Sequence, residues 1–332
     1  MNAAPDPAGA PRHPRAARRV ARRALYERVV IVTRRTELEE LTSRFVTEAQ
    51  ARFYLEHAGQ DFEPIEQAHR RYHAVLDQVR HAIPVRTKHH VIPREYLPQY
   101  AFEEADLVVT VGPDGLVVNT AKYLERQPLL AFNPDPGRIE GVLLPYAARD
   151  TESAMSRTLA GEVRFREVTM AEARLNDGQK LVAFNDLFVG ARSHVSARYR
   201  LVHGQDTEEQ SSSGIIVSTG AGSTGWLKSV YAGAAAVSRA MGGHVDAPRD
   251  GGRFSWEADH LVYAVREPWP SKSSGTTKVY GRITPDAPLL LDSHMPGHGV
   301  IFSDGVEADY LPFNAGTRAT ITLADRKARL VA

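Results

Sequence analysis

Gly112-Pro113-Asp114-Gly115 follows the apolar run Leu107–Val111 and precedes a stretch of helical character that includes Asn119, Lys122 and Leu124. A strand that feeds a glycine-bearing turn and then a helix presents backbone N–H groups to a phosphate. The carboxylate in the turn brings chemistry: Asp114 could orient a metal or take a proton from an attacking hydroxyl. Pro113 acts against the same site, because it withholds one amide donor and fixes φ.

The densest second signal is Ser211 to Trp226, where Gly214, Thr219, Gly220, Gly222, Ser223, Thr224 and Gly225 precede a helical segment. Small and hydroxylated residues ahead of a helix suit an anion or a ribose. A glycine-rich hairpin tip with a helix cap is the plainer reading. Asn185-Asp186 falls inside the apolar run Leu181–Val189, where unpaired polar side chains would cost a few kcal/mol. A bound partner or an internal hydrogen-bond network would resolve that cost. Asn133-Pro134-Asp135-Pro136 reads as a turn after a strand.

Other chemistries lack their residues. The chain has no Cys, which removes disulfides, thiolate metal sites and a cysteine nucleophile. Neither a Gly-x-Ser-x-Gly elbow nor a Walker A motif occurs. His89 and His90 are adjacent, so on a strand they face opposite ways, and His294 and His298 lie in a Pro/Gly loop. No residue is nominated as a metal ligand.

The elements that must position these groups change character along the chain. Val29–Thr33, Leu107–Val111 and Leu129–Phe132 read as short buried parallel strands, with an edge strand over Val85–Val91. Helices are expected from Glu37 to about Tyr54 and from Ile65 to about His81, on apolar spacings such as Leu38, Leu41, Phe45 and Tyr72, Val75, Val79. This alternation predicts a doubly wound α/β unit. After about Gly137 short strands dominate, among them Val163–Thr169, Leu181–Val189, Ala197–Val202, Gly214–Ser218, Leu261–Val265 and Ala319–Leu323, with one inserted helix from Gly225 to about Met241. The expected organisation is a basic arm over 1–25, an α/β unit over 26–137 and a β-rich unit over 138–332, whose last strand is free to return to the first unit.

Composition is that of a soluble globular chain: 332 residues, 42% apolar, 24% charged, net charge +1. So small a net charge gives no global case for nucleic acid. Positive charge gathers at Arg12, Arg15, Arg18, Arg19, Arg22 and Arg23 among prolines, which reads as a frayed arm; a transit peptide is the alternative. No apolar run reaches about 18 residues, so a membrane span is not expected and the cytoplasm is the expected compartment.

Gly112-Pro113-Asp114-Gly115, Asn133-Pro134-Asp135-Pro136 with Gly141, Asn185-Asp186, Gly214 to Trp226, and Asp304-Gly305 stand in the order found in NAD kinases. The chain resembles that family from about Glu27 onward, and Ser212-Ser213-Gly214, Arg192 to Tyr199 and Arg266-Glu267-Pro268 look like its mitochondrial-type branch. The resemblance implies an N-terminal doubly wound domain and a C-terminal β-sandwich-like domain with a nucleotide cleft between them. It implies transfer of the γ-phosphate of ATP, with Mg²⁺, to the adenosine ribose 2′-hydroxyl of NAD, in a homodimer or larger homo-oligomer. Asp114 would then be the base or orienting group, flanked by Gly112 and Gly115 of the phosphate turn. Gly141 and Val142 would lie near adenine, and Asn185 and Asp186 would hold ribose. Ser213 would occupy the place of an acidic residue in many bacterial members. Thr219, Gly222, Ser223, Thr224, Gly225 and Ser229 would line the dinucleotide.

Three positions depart from the family pattern: Pro113 stands for a glycine, Leu116 for a threonine and Asp186 for a glutamate one methylene longer. A donor lost from a phosphate contact would cost about 1–3 kcal/mol. Beside an active NAD kinase, two readings therefore stand: a catalytically impaired relative that binds the nucleotide, and a kinase of a lipid or another alcohol. Asn185-Asp186 and Gly222-Ser223-Thr224 favour a dinucleotide over a lipid, which would want a longer apolar cleft.

Overall fold

The computed structural model describes residues 25–245 and 250–332. The basic arm expected over 1–25 lies outside the described residues except for Leu25. Four short strands build a parallel sheet in the order β2-β1-β3-β4: β1 (Arg28–Thr33), β2 (Lys88–Pro93), β3 (Asp106–Val111) and β4 (Pro128–Asn133). Every residue of β3 and β4 is buried, which is why both read as unbroken apolar runs.

Helices cover the two faces of this sheet, and the alternation of strand side chains sorts their contacts. Val29, Ile31, Leu107 and Val109 meet Tyr72, Val75 and Val79 of α3 (Glu63–His81) and Met155 of α5 (Thr151–Ala160). Val30, Val32, Val108 and Leu129 instead meet Leu116, Val117 and Ala121 of α4 (Asp114–Ala121). The helix expected from Glu37 to Tyr54 is two helices, α1 (Glu37–Phe45) and α2 (Glu48–His57). Val46 adopts φ 70 between them, and the Thr47 hydroxyl accepts the Gln50 N–H at 3.2 Å to start the second. Apolar spacing passes smoothly through this break. The capping pair Thr47 and Gln50 was the signal for it.

The remaining chain forms a sandwich. β5 (Tyr146–Ala147) still pairs parallel with β4, and the sandwich strands begin with β6 (Phe165–Leu175), β7 (Lys180–Ala183), β8 (Asp186–Ala191), β9 (Ala197–His203), β10 (Asp206–Ser212), β11 (Ile215–Ser218) and β12 (Leu261–Val265). They continue as β13 (Tyr280–Ile283), β14 (Leu289–Ser293), β15 (Gly299–Ser303), β16 (Val306–Pro312) and β17 (Arg318–Val331). One helix, α6 (Trp226–Ala240), follows β11, but α5 is a second helix in this part of the chain, where only one was expected. Six strands pair antiparallel in the order β13-β12-β11-β8-β15-β16. Their inner face, with Leu187, Val189, Ile215, Val217 and Ile301, packs on Tyr199, Leu201, Leu289, Leu291 and Ile321 of the other sheet.

β17 joins the two halves. Its first residues pair with β14, while Arg329 and Leu330 lie parallel to Pro128 and Leu129 of β4. A single 11-stranded sheet thus runs from the parallel region into the sandwich.

Candidate active site

The turn after β3 is the first wall of the site. Gly112 donates its N–H to the Phe132 carbonyl at 3.2 Å, and a Cβ there would lie 2.9 Å from Cδ2 of Leu116. Pro113 caps α4 at φ −76, an ordinary proline angle, so it fits this loop without strain. Its carbonyl accepts the Leu116 N–H at 2.9 Å. Among the described residues no acceptor takes the N–H of Asp114 or Gly115. The proline therefore removes one donor and leaves the two that follow it at the positive end of a helix.

Asp114 is half-buried, and its Oδ1 accepts the Leu143 N–H at 2.6 Å. That bond fastens the head of α4 to the loop after β4. Asn133 shapes the same loop: its Oδ1 accepts the Asp135 N–H at 3.0 Å and its Nδ2 donates to the Ile139 carbonyl at 3.0 Å. Gly141 adopts φ 69, and a Cβ on it would lie 2.5 Å from Nδ2 of Asn133. Asn133 and Gly141 are thus two ends of one packing constraint. Val142, beside Asp114, is 59% exposed and offers an apolar surface.

Asn185 and Asp186 stand in a different place from the one expected. The run Leu181–Val189 is not one strand but two, β7 and β8, which belong to different sheets. The polar pair marks the crossing between them, where backbone groups need partners that no ladder supplies. Asp304 supplies three: its carboxylate accepts the N–H groups of Phe184 at 2.9 Å, Asn185 at 2.7 Å and Asp186 at 3.2 Å. Asp304 and Gly305 form the two-residue turn between β15 and β16, with φ 53 and 70, the geometry that makes Asp-Gly a hairpin signal.

The glycine-rich loop closes on the same crossing. Thr219 donates its hydroxyl to the Phe184 carbonyl at 2.6 Å and its N–H to the Asn185 carbonyl at 2.9 Å. A Cβ on Gly222 would overlap the Asn185 carbonyl, and one on Gly220 would overlap that of Ser255. The Ser223 hydroxyl donates to the Gly220 carbonyl at 2.6 Å. Thr219, Gly222 and Ser223 are therefore buried parts of the loop's own frame, while Thr224, Gly225 and Ser229 are exposed at the start of α6.

Leu116 and Val117, Leu143 and Leu144, Phe184, and the flanking Ala221 share one apolar cluster. All four segments are thus anchored in common. Lys122, after α4, ties this region to the β15–β16 hairpin through Ser303 Oγ at 2.9 Å and Asp309 at 3.5 Å.

Ser213 lies apart from Asp114. It is exposed at the opposite end of β11 from the glycine-rich loop and lines a cavity of about 340 Å³ with Phe188, Trp226, Arg266 and Phe302. Trp226 stacks on Phe188 at 5.8 Å between ring centroids, with the Arg266 guanidinium 5.3 Å from the indole. Sequence reasoning missed this aromatic wall. It also missed Arg34, Arg35 and Arg138, which line a cavity of about 310 Å³ against Gly112 and Pro113. Their positions after β1 and in the loop after β4 are where α/β sheets place ligand-binding groups.

Two carboxyls at the crossing are electrostatically unusual. Removal from water, reinforced by the neighbouring Asp304 charge, raises Asp186 to about 7. Removal from water also raises Asp304 to about 6, although the amides of residues 184–186 and the Lys122 ammonium pull it down. Carboxyls poised near neutrality cluster at functional sites.

No family model matches the chain. A stretch of 134 residues, 38% of this chain, is 34% identical to the NAD kinase of Burkholderia cenocepacia and covers 43% of that protein. The NAD kinase of Burkholderia multivorans matches to the same extent. The chain thus spans 43% of the length of these curated relatives. Among solved structures, yeast NADH kinase complexed with NADH superposes over 92% of this chain and 83% of its own, with TM-score 0.56 and 13% identity. An NAD kinase from Archaeoglobus fulgidus in complex with ATP superposes over 92% and 93%, with TM-score 0.53 and 15% identity.

The fold is the NAD kinase fold. On it, the parallel sheet carries Asp114 and the arginine-lined cavity, and the sandwich carries Asn185, Asp186 and the glycine-rich loop. No helix among the described residues is long and apolar enough to cross a membrane.

Proposed function

We propose that the protein is an NAD kinase that moves the γ-phosphate of ATP to the adenosine ribose 2′-hydroxyl of NAD. The observation that carries this reading is the convergence of Asp114, the Val142 loop and the Asn185 crossing on one apolar cluster. The 34% identity to proteins named NAD kinase supports it, as does the shared fold.

Asp114 orients the acceptor hydroxyl and receives its proton. The N–H groups of Asp114 and Gly115, with Arg34, Arg35 and Arg138, face the donor phosphates, as phosphoryl transfer asks chiefly for positioning and charge neutralisation. Val142 lies under adenine, and Asn185 and Asp186 hold ribose. The exposed Thr224, Gly225 and Ser229 line the dinucleotide, and Ser213 with Trp226 receives its far end.

A magnesium ion suits this donor set, since Oδ2 of Asp114 has no partner among the described residues and Mg²⁺ takes one or two carboxylates together with substrate phosphates. When bound, it neutralises charge that develops on the phosphoryl oxygens. The mitochondrial-type branch is also part of this reading. Two of its segments pair in the fold, Ser213 donating its N–H to the Arg266 carbonyl at 2.9 Å and Arg266 its own to Gly214 at 2.8 Å. A homo-oligomer, on the resemblance alone, and a cytoplasmic location complete the proposal.

Incubation of the purified chain with NAD, ATP and Mg²⁺ should yield NADP, read by an NADP-specific dehydrogenase. NAD binding without NADP would instead favour the impaired relative.

A further inference from the structure

A cluster outside the site described above has the composition of a transition-metal centre. One ligand atom each of Glu39, His69 and His73 lies within 4.8 Å of the other two. His69 and His73 are four residues apart on α3 and so share one face of that helix, while Glu39 comes from α1. The two imidazole centroids are 4.4 Å apart, and Nε2 of His73 is 3.1 Å from Oε1 of Glu39.

Thr36 braces this set from behind. Its hydroxyl lies 2.7 Å from Nδ1 of His69, and its N–H donates to Oε2 of Glu39 at 2.7 Å. Such outer partners fix the orientation of metal-binding side chains. Oε1 of Glu39 is within hydrogen-bond distance of Nε2 of His73, a pair that a bound metal ion would bridge in place of the shared proton. All three residues line a cavity of about 770 Å³, which leaves room for a further ligand.

We propose that Glu39, His69 and His73 bind a zinc ion, with a fourth position open to water or to an anion from the cavity. Two imidazoles and one carboxylate match zinc sites that keep an open position, and they do not suit magnesium, which prefers oxygen. The ion ties α1 to α3. His69 and Tyr72 also line the cavity against Gly112 and Pro113, so the zinc stands on a wall shared with the phosphate turn. Nothing in this inference depends on the kinase reading.

The test is zinc binding to the full chain, measured by competition with a chromophoric chelator, with circular dichroism and melting of each metal-free variant as the check on folding. The expected result is one zinc per chain, unaffected by excess Mg²⁺. Affinity should fall in His73→Ala and in His69→Ala by no less than the roughly 10–100-fold typical of losing an outer partner of a metal ligand. Cobalt(II) added to the wild-type protein should give the intense visible bands of a four- or five-coordinate site, a readout that needs no variant. Absence of stoichiometric zinc, undiminished binding in a folded His73→Ala chain, or only the weak bands of hexaaquo-like cobalt would each overturn the proposal.

Discussion

The carboxylate of Asp114 takes the amide N–H of Leu143 at 2.6 Å, so the candidate reactive group is fastened to the loop that offers Val142. This bond occupies one oxygen and leaves the other free. It also makes asparagine and alanine unequal substitutions, because asparagine keeps an acceptor for Leu143 and alanine does not. Asp114→Ala is expected to lower the melting temperature relative to Asp114→Asn, by the equivalent of about 1 kcal/mol. Equal melting temperatures would mean that the bond contributes nothing to the fold.

Gly222 is required by packing as much as by any ligand. A Cβ there would overlap a backbone carbonyl, which cannot swing aside as a side chain can. Gly222→Ala is expected to destabilise the chain by about 1–3 kcal/mol, read from urea denaturation. The same displacement of Asn185 should raise KM for NAD in initial-rate kinetics.

Proline at position 113 is compatible with an intact phosphate turn, since its φ is ordinary and the two following amides remain open. Pro113→Gly is expected to lower stability by about 0.4–1 kcal/mol through the looser unfolded chain. Its kcat should change by no more than a few-fold. A large gain in rate would show instead that the proline obstructs the turn.

Folded Asp186 and Asp304 keep their protons to about 7 and about 6, whereas both lose them near 3.8 when unfolded. Across that interval the folded state binds more protons, so these groups make stability fall as pH rises from about 4 to about 7. Asp186→Asn removes its share of the loss. The variant should gain on wild type in urea denaturation between about pH 5 and about pH 8, by on the order of a few kcal/mol at the upper end. A difference independent of pH would show that Asp186 ionises normally.

Much of the sheet was legible because β1, β3 and β4 are buried on both faces and read as continuous apolar runs. The sequence reads as one helix over residues 37–54 because α1 and α2 keep similar spacing across Val46, and only the cap at Thr47 betrays the break. Asn185-Asp186 stands out in the sequence as a polar anomaly within an apolar run, but nothing local marks it as a crossing between two strands. The cause is tertiary: Asp304, over a hundred residues away, holds the turn between two sheets. The arginines beside Gly112 were invisible, since each is ordinary alone and only the fold gathers them. His69 and His73 carried a readable four-residue spacing, but Glu39 joins them only through the packing of α1 on α3.

In the proposed reaction Asp114 serves phosphoryl transfer to NAD. Its most direct test supplies ATP labelled at the γ-phosphate, with NAD and Mg²⁺, to wild-type protein and to Asp114→Asn matched for melting temperature, and follows label into NADP. Wild type should transfer label to NAD, and the variant should do so at least about 100-fold more slowly. Equal rates in the two proteins, or no labelled NADP from wild type, would contradict it.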